Sequence, residues 1–123
     1  MMISRKPGLK YVHRGNPVAY DYDHHTLIRD GAWHTLDLSA IIPANAKLVH
    51  LRLGISGSAT GSFFRVAKTG VTNGFAMVNL ALQVAYIINE TDAIVDCTGQ
   101  QVDYWSSETD YASGWIVVLG WFV

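Results

Sequence analysis

Alternation of large apolar and polar side chains is the dominant signal along this chain, and it is clearest over residues 32–55, AWHTLDLSAIIPANAKLVHLRLGI. Side chains on a strand point to opposite faces in turn, so Leu36 and Leu38 share one side of a first strand. Val49, Leu51, Leu53 and Ile55 share one side of a second, with His50 and Arg52 turned away. The intervening SAIIPANAK places Ser39 ahead of an apolar pair and Pro43, which suits one helical turn or a compact loop. Ile41 and Ile42 would then plug the end of the core.

Around this unit the pattern breaks into short pieces. Residues 1–17 carry Pro7, Gly8, Gly15 and Pro17 and read as an extended arm, with a short strand at Leu9 to His13. Val18 to Asp23, then Thr26 to Arg29 and the Asp30-Gly31 turn signal, suggest a β-meander entering the central unit. After Ile55, SGSATG predicts a hairpin loop and GSFFRVAK from Gly61 the returning strand, with Phe63, Arg65 and Ala67 opposite Phe64, Val66 and Lys68. Residues 75–88, FAMVNLALQVAYII, are long enough for a helix, but Val78, Leu80, Leu82, Val84, Tyr86 and Ile88 alternate and predict a strand. Turn clusters NETD, TGQ and SSETDYASG separate the last apolar segments, DAIVDC, QVDYW and GWIVVLGWFV. Short strands with closely spaced turns predict an all-β fold, an antiparallel β-sandwich of jelly-roll-like type, formed by residues 18–123 as a single domain behind the N-terminal arm 1–17.

The last strand is apolar on both sides. Trp115, Val117, Leu119 and Trp121 would line one face, and Ile116, Val118 and Phe122 the other. A strand with a solvated face would show polar residues there, so both faces need a cover. One cover is the domain's own core. The other is expected to be a second subunit, meeting Trp115, Val117, Leu119, Trp121 and Phe122.

Composition narrows the possible partners. Half of the 123 residues are apolar, enough for a core without disulfides or metal. Nine Lys and Arg against ten Asp and Glu argue against broad capture of nucleic acid or an anionic membrane. Arg5, Lys6, Lys10 and Arg14 lie in the arm, where a solvated or partner-packed segment is a plainer reading than a polyanion-binding tail. Cys97 is the only cysteine, which rules out an intramolecular disulfide. No apolar run reaches the roughly 20 residues of a membrane span, and no signal peptide is evident. The expectation is a soluble protein made in the cytoplasm, reaching any outside role by assembly into a particle or by release on lysis.

Trp33-His34-Thr35-Leu36-Asp37-Leu38-Ser39, then Ile42-Pro43-Ala44 and Ala46-Lys47-Leu48-Val49, together with the Gly120-Trp121 ending, resemble a motif of small β-sandwich modules in phage tail fibres and related phage-borne proteins of unknown function. The likeness covers about the central third and the C-terminus. It implies an oligomeric module, often trimeric, that serves in attachment or faces a receptor, and it implies a virion-associated location. The same residues have a physical reading of their own, with Trp33 and the leucines as core and Ile42-Pro43 setting a turn.

Three sets of residues could carry chemistry. Asp21, Asp23 and His25 can share one side of a strand and offer ligands to a divalent ion, although a polar strand end is the plainer reading. His34, His50, Asp37 and Cys97 are catalytic residue types without a recognised spacing, and there is no GxSxG, phosphate loop or CxxC pair. No catalytic residue and no cofactor are therefore expected, and a small metal-dependent or His/Asp-based enzyme stands as the alternative. Tyr104, Trp105, Glu108, Asp110 and Tyr111, with Ser106 and Ser107, combine aromatic rings with short polar acceptors, a composition suited to stacking on a sugar face and bonding its hydroxyls. Against that, Tyr104 could be core and Trp105 a subunit contact. The expected function is a non-enzymatic, self-associating structural or receptor-binding module with glycan as a candidate ligand.

Overall fold

The structure is a computed structural model and describes residues 8–58, 60–71, 73, 77–107 and 113–123, omitting the side chain of Ser113. Among the described residues there is no helix, and nine strands form: β1 (Tyr11–His13), β2 (Tyr22–Asp23), β3 (Trp33–Asp37), β4 (Leu48–Ser56), β5 (Phe63–Ala67), β6 (Val78–Ala81), β7 (Asn89–Asp96), β8 (Gln101–Ser106) and β9 (Ser113–Phe122). One sheet has the order β1-β9-β4-β7, with β2 also on β9, and the other has the order β3-β8-β5-β6. All pairings are antiparallel. The fold is thus an antiparallel β-sandwich. No helix among the described residues is long and apolar enough to cross a membrane.

Alternation explains the core. From the first sheet come Val49, Leu51, Leu53 and Ile55 of β4, Ala93 and Val95 of β7, and Ile116 and Val118 of β9. Leu36, Val102, Tyr104, Phe64, Val66 and Leu80 meet them from the second. Burying each large aliphatic or aromatic side chain contributes about 1.5–3 kcal/mol, so these inward rows dominate the packing energy.

The two strands of residues 32–55 lie in different sheets, and the segment between them closes one end of the sandwich. Asp37 Oδ1 accepts the Ser39 amide at 2.8 Å, and the Ile41 and Ile42 amides both bond Leu38 O. Asp37 thus anchors a compact turn in which the Ile42 amide closes one helical turn onto Leu38 O, as expected for this segment. Ile42 is buried and Ile41 packs against the core, as the plug requires.

Three other expectations are corrected. The hairpin expected through SGSATG does not form, because β4 is already paired on both sides by β7 and β9 and β5 belongs to the second sheet. The entry segment is no meander, since β1 and β2 each add to β9 and residues 26–29 form no strand. The strand expected over 75–88 ends at Ala81, with residues 75 and 76 outside the described set. Its partner β5 begins at Phe63, opposite Ala81, and only the Leu82 bonds to Gly61 and Ser62 continue the pairing. Beyond that the chain turns through Tyr86, whose φ is 65°, and leaves Val84, Tyr86, Ile87 and Ile88 exposed.

β9 departs from simple alternation at a bulge. His50 faces Gly120 while Leu51 faces Val118, so Leu119 is the extra residue. A one-residue insertion reverses the facing of everything after it. Trp121 therefore points inward opposite Val49 and packs against the core, instead of sharing the outer face with Trp115 and Val117.

Much of the outer cover comes from the chain's own N-terminal segment. Tyr20 stacks on Trp115 with ring centroids 5.0 Å apart, and Trp115 is only 3% exposed. The indole lies directly on Gly54, where an added Cβ would come within 1.9 Å of it. Gly120 makes similar room for Tyr11, which also meets Phe122 with centroids 5.0 Å apart. Between these two contacts the segment is pinned at the bulge. Asp21 Oδ2 accepts the Val118 amide at 2.8 Å and pairs with Arg14, which bonds Val118 O at 3.1 Å. That pairing holds the Arg14 guanidinium above its ordinary pKa.

Candidate functional site

The outward face of the second sheet gathers aromatic side chains around one cation. β8 alternates, so Val102, Tyr104 and Ser106 are buried while Gln101, Asp103 and Trp105 point out. Register then builds a row across the sheet: Trp33 of β3 opposite Trp105 of β8, Trp105 opposite Arg65 of β5, and Arg65 opposite Asn79 of β6. The Arg65 guanidinium carbon lies 4.4 Å from the Trp105 ring centroid and 5.2 Å from that of Phe63. Arg65 Nε donates to Asn79 Oδ1 at 3.1 Å. Contacts of this kind stabilise by about 0.5–1 kcal/mol at exposed sites, enough to hold the guanidinium against the rings. One row along, Asp103 accepts from Thr35 Oγ1 at 2.8 Å and from the Gly70 amide at 3.1 Å.

Of the residues expected to bind glycan, Trp105 is on this face. Tyr104, its neighbour, is in the core, where its hydroxyl oxygen accepts the Ile28 amide at 2.9 Å and its ring stacks near Phe64. It cannot meet a ligand from there. Glu108, Asp110 and Tyr111 lie outside the described residues. Phe63 and Arg65 were not among the expected site residues, and Trp33, expected in the core with the leucines, is instead half-buried outside it, because it alternates with inward-facing Leu36. Arg65 is a charged residue inside the apolar run FFRVA, a signal that becomes legible only once the register sets it beside Trp105.

The residues expected to bind metal are placed otherwise. Asp21 is taken by Arg14 and the Val118 amide, and Asp23 Oδ1 accepts the His25 amide at 2.9 Å within a turn. Among the described residues no three His, Cys, Asp or Glu side chains are grouped to hold a metal ion.

The residues of catalytic type also have structural partners. His34 Nε2 sits 2.8 Å from Asp30 Oδ1, and that contact holds the Asp30 carboxyl below its ordinary pKa. His50 lies between Tyr11 and Asp92, with Nδ1 3.1 Å from the tyrosine hydroxyl and Nε2 3.2 Å from Asp92 Oδ2. Desolvation pushes the Asp92 carboxyl up, but bonds from Arg52 and His50 outweigh it and hold it low. Hydrogen bonds from Ser39 hold Asp37 low as well. Burial and then the nearby Asp96 charge push the Cys97 thiol up to about 11, which makes it a poor nucleophile. A groove of about 630 Å³ opens between the N-terminal segment and the first sheet, lined by Tyr20, Arg52, Glu90, Trp115, Val117 and Leu119 among others. None of Tyr11, His50 and Asp92 lines it.

The expected subunit-contact residues are divided by the bulge. Trp115 is under Tyr20, Val117 and Leu119 are half-buried along the groove, Phe122 is beside Tyr11, and Trp121 faces inward. No family model matches the sequence, and no curated protein matches it either.

Proposed function

We propose that the protein is a non-catalytic binding module that recognises glycan through the outward face of its second sheet, as a receptor-facing module of phage tail-fibre type would. The observation that carries this reading is the row Trp33, Trp105, Arg65 and Asn79, with Phe63 beside it. Aromatic surface next to amide and hydroxyl groups suits a sugar, which offers an apolar ring face and a rim of hydroxyls. Asn79, Thr35 and Asp103 supply those polar groups on the same face. A glycan array followed by titration of the bound saccharides tests it. Trp105→Ala should weaken binding about tenfold, or about 1.4 kcal/mol, while leaving the unfolding midpoint close to that of the parent. Uniform absence of binding across the array would refute the reading.

Self-association is a second reading, favoured by a different surface. β7 is an eight-residue edge strand with Ile94 exposed, and the turn before it exposes Val84, Tyr86, Ile87 and Ile88. Long edges and contiguous apolar patches are surfaces that proteins normally cover. A homotrimer burying this edge is the expected assembly. Light scattering coupled to size exclusion checks it, and a stable monomer at micromolar concentration removes it.

A further inference from the structure

We infer that the glycan recognised by this face is acidic, a saccharide bearing a carboxylate that Arg65 receives. The inference rests on the glycan reading above and adds the chemical class of the ligand. Arg14, Arg52 and Lys68 each have a carboxylate within ion-pair distance, namely Asp21, Asp92 and Asp96. Arg65 has none among the described residues; its bonds are to Asn79 through Nε and to two ring faces. The nearest carboxylate in register, Asp103, has both oxygens engaged by Thr35 and Gly70. This leaves the two Nη groups of a planar guanidinium, already oriented by rings and an amide, without a described acceptor.

That is a preorganised receptor for a carboxylate. A guanidinium is weakly hydrated and offers parallel N–H groups that match two carboxylate oxygens, so little ordering remains to be done on binding. Trp33 and Arg65 flank Trp105 two strand spacings apart, roughly 10 Å, a span that a disaccharide covers. A sugar lying along the row would set its carboxylate on Arg65 and its ring towards the indoles. Nucleic acid fits less well, because polyanion capture draws on several cations, whereas this row carries one and the whole chain has a formal charge of −1.

The test uses an array carrying uronic-acid and sialic-acid saccharides beside their carboxyl-methylated or asialo counterparts, with a single-stranded oligonucleotide as a further probe. The acidic member of a pair should bind at least about tenfold more tightly, and Arg65→Gln should close that gap by weakening the acidic member far more than the neutral one. Arg65→Lys, which keeps the charge and loses the planar fork, should recover part of the preference. Circular dichroism of each variant checks that the sheet is intact. Equal binding of both members, or an acid preference that survives Arg65→Gln in a folded protein, overturns the inference and leaves the glycan reading standing. Preference for the oligonucleotide over every acidic saccharide also overturns it. Binding to no saccharide removes both.

Discussion

Gly54→Ala is the sharpest test of how the N-terminal segment is held. An added Cβ would sit 1.9 Å from Trp115 Cε2, 2.1 Å from Cζ2 and 2.2 Å from Nε1. The closest of these is about 1.6–2.1 Å short of the optimal carbon separation of about 3.5–4.0 Å. The indole is held between Gly54 of β4 below and the Tyr20 ring stacked above. Full ejection would forfeit about 150–250 Å² of burial, a ceiling of about 4–6 kcal/mol, while overpacking absorbed by small shifts costs about 1–3 kcal/mol. Tyr20 is 55% exposed and lies outside any strand, so the segment should lift before the sheet yields. A loss of about 3 kcal/mol follows, read as a lower urea midpoint and a melting temperature lower by roughly 10 °C. A double-mutant cycle isolates the cause. Trp115→Ala alone should cost about 3–5 kcal/mol, and adding Gly54→Ala to it should cost almost nothing further, because the ring that the methyl strikes is gone. Costs that simply add would refute the claim that Gly54 is small in order to seat Trp115.

Two further expectations concern pH. The Cys97 thiol is raised from 9.0 to about 11, so the folded protein holds that proton more tightly than the unfolded chain; stability is intact below pH 9 and falls between pH 9 and about 11. Native protein should accordingly resist a thiol reagent at pH 8 and react only as it unfolds, and a thiolate absorbance appearing below pH 9 without unfolding would contradict this. Asp96 is held below its ordinary value by side-chain and then backbone hydrogen bonds from Thr98, so its contribution is present above the carboxylate range and lost as pH falls through the depressed value. Asp96→Asn should flatten the acid limb of a stability-against-pH curve below about pH 4, and an unchanged limb would show that the bond contributes nothing.

The fold class was legible because β4 and β8 alternate cleanly, and each inward residue of β4 found the core its pattern implied. Sheet assignment was not. Whether β5 returns beside β4 or crosses over depends on which neighbours β4 already has, a long-range fact that local periodicity does not carry. The bulge at Leu119 was hidden for a related reason: GWIVVLGWFV is apolar at nearly every position, so a shift of face leaves no mark on it. Over residues 78–88 alternation misled, since Val84, Tyr86 and Ile88 keep the rhythm after their pairing partner has ended. The candidate site was half legible. Trp105 stood out as an aromatic near a polar loop, whereas Trp33, Phe63 and Arg65 come from separate strands and meet only through register.

The position of β9 between β1, β2 and β4 bears on the order in which the fold can assemble. Every strand it pairs with precedes it in the chain, so as the protein emerges from the ribosome β1 and β2 have no strand to pair with until β9 follows. β4 can meet β7 earlier, and the whole second sheet is complete once β8 has been made. Closing loops of some hundred residues is slow relative to forming local pairs, so the first sheet should finish last, with Val12, Tyr20 and Tyr22 waiting on it. Until then the nascent chain carries an unpaired β4 edge, and the aromatic face of the second sheet is built before the molecule has closed behind it.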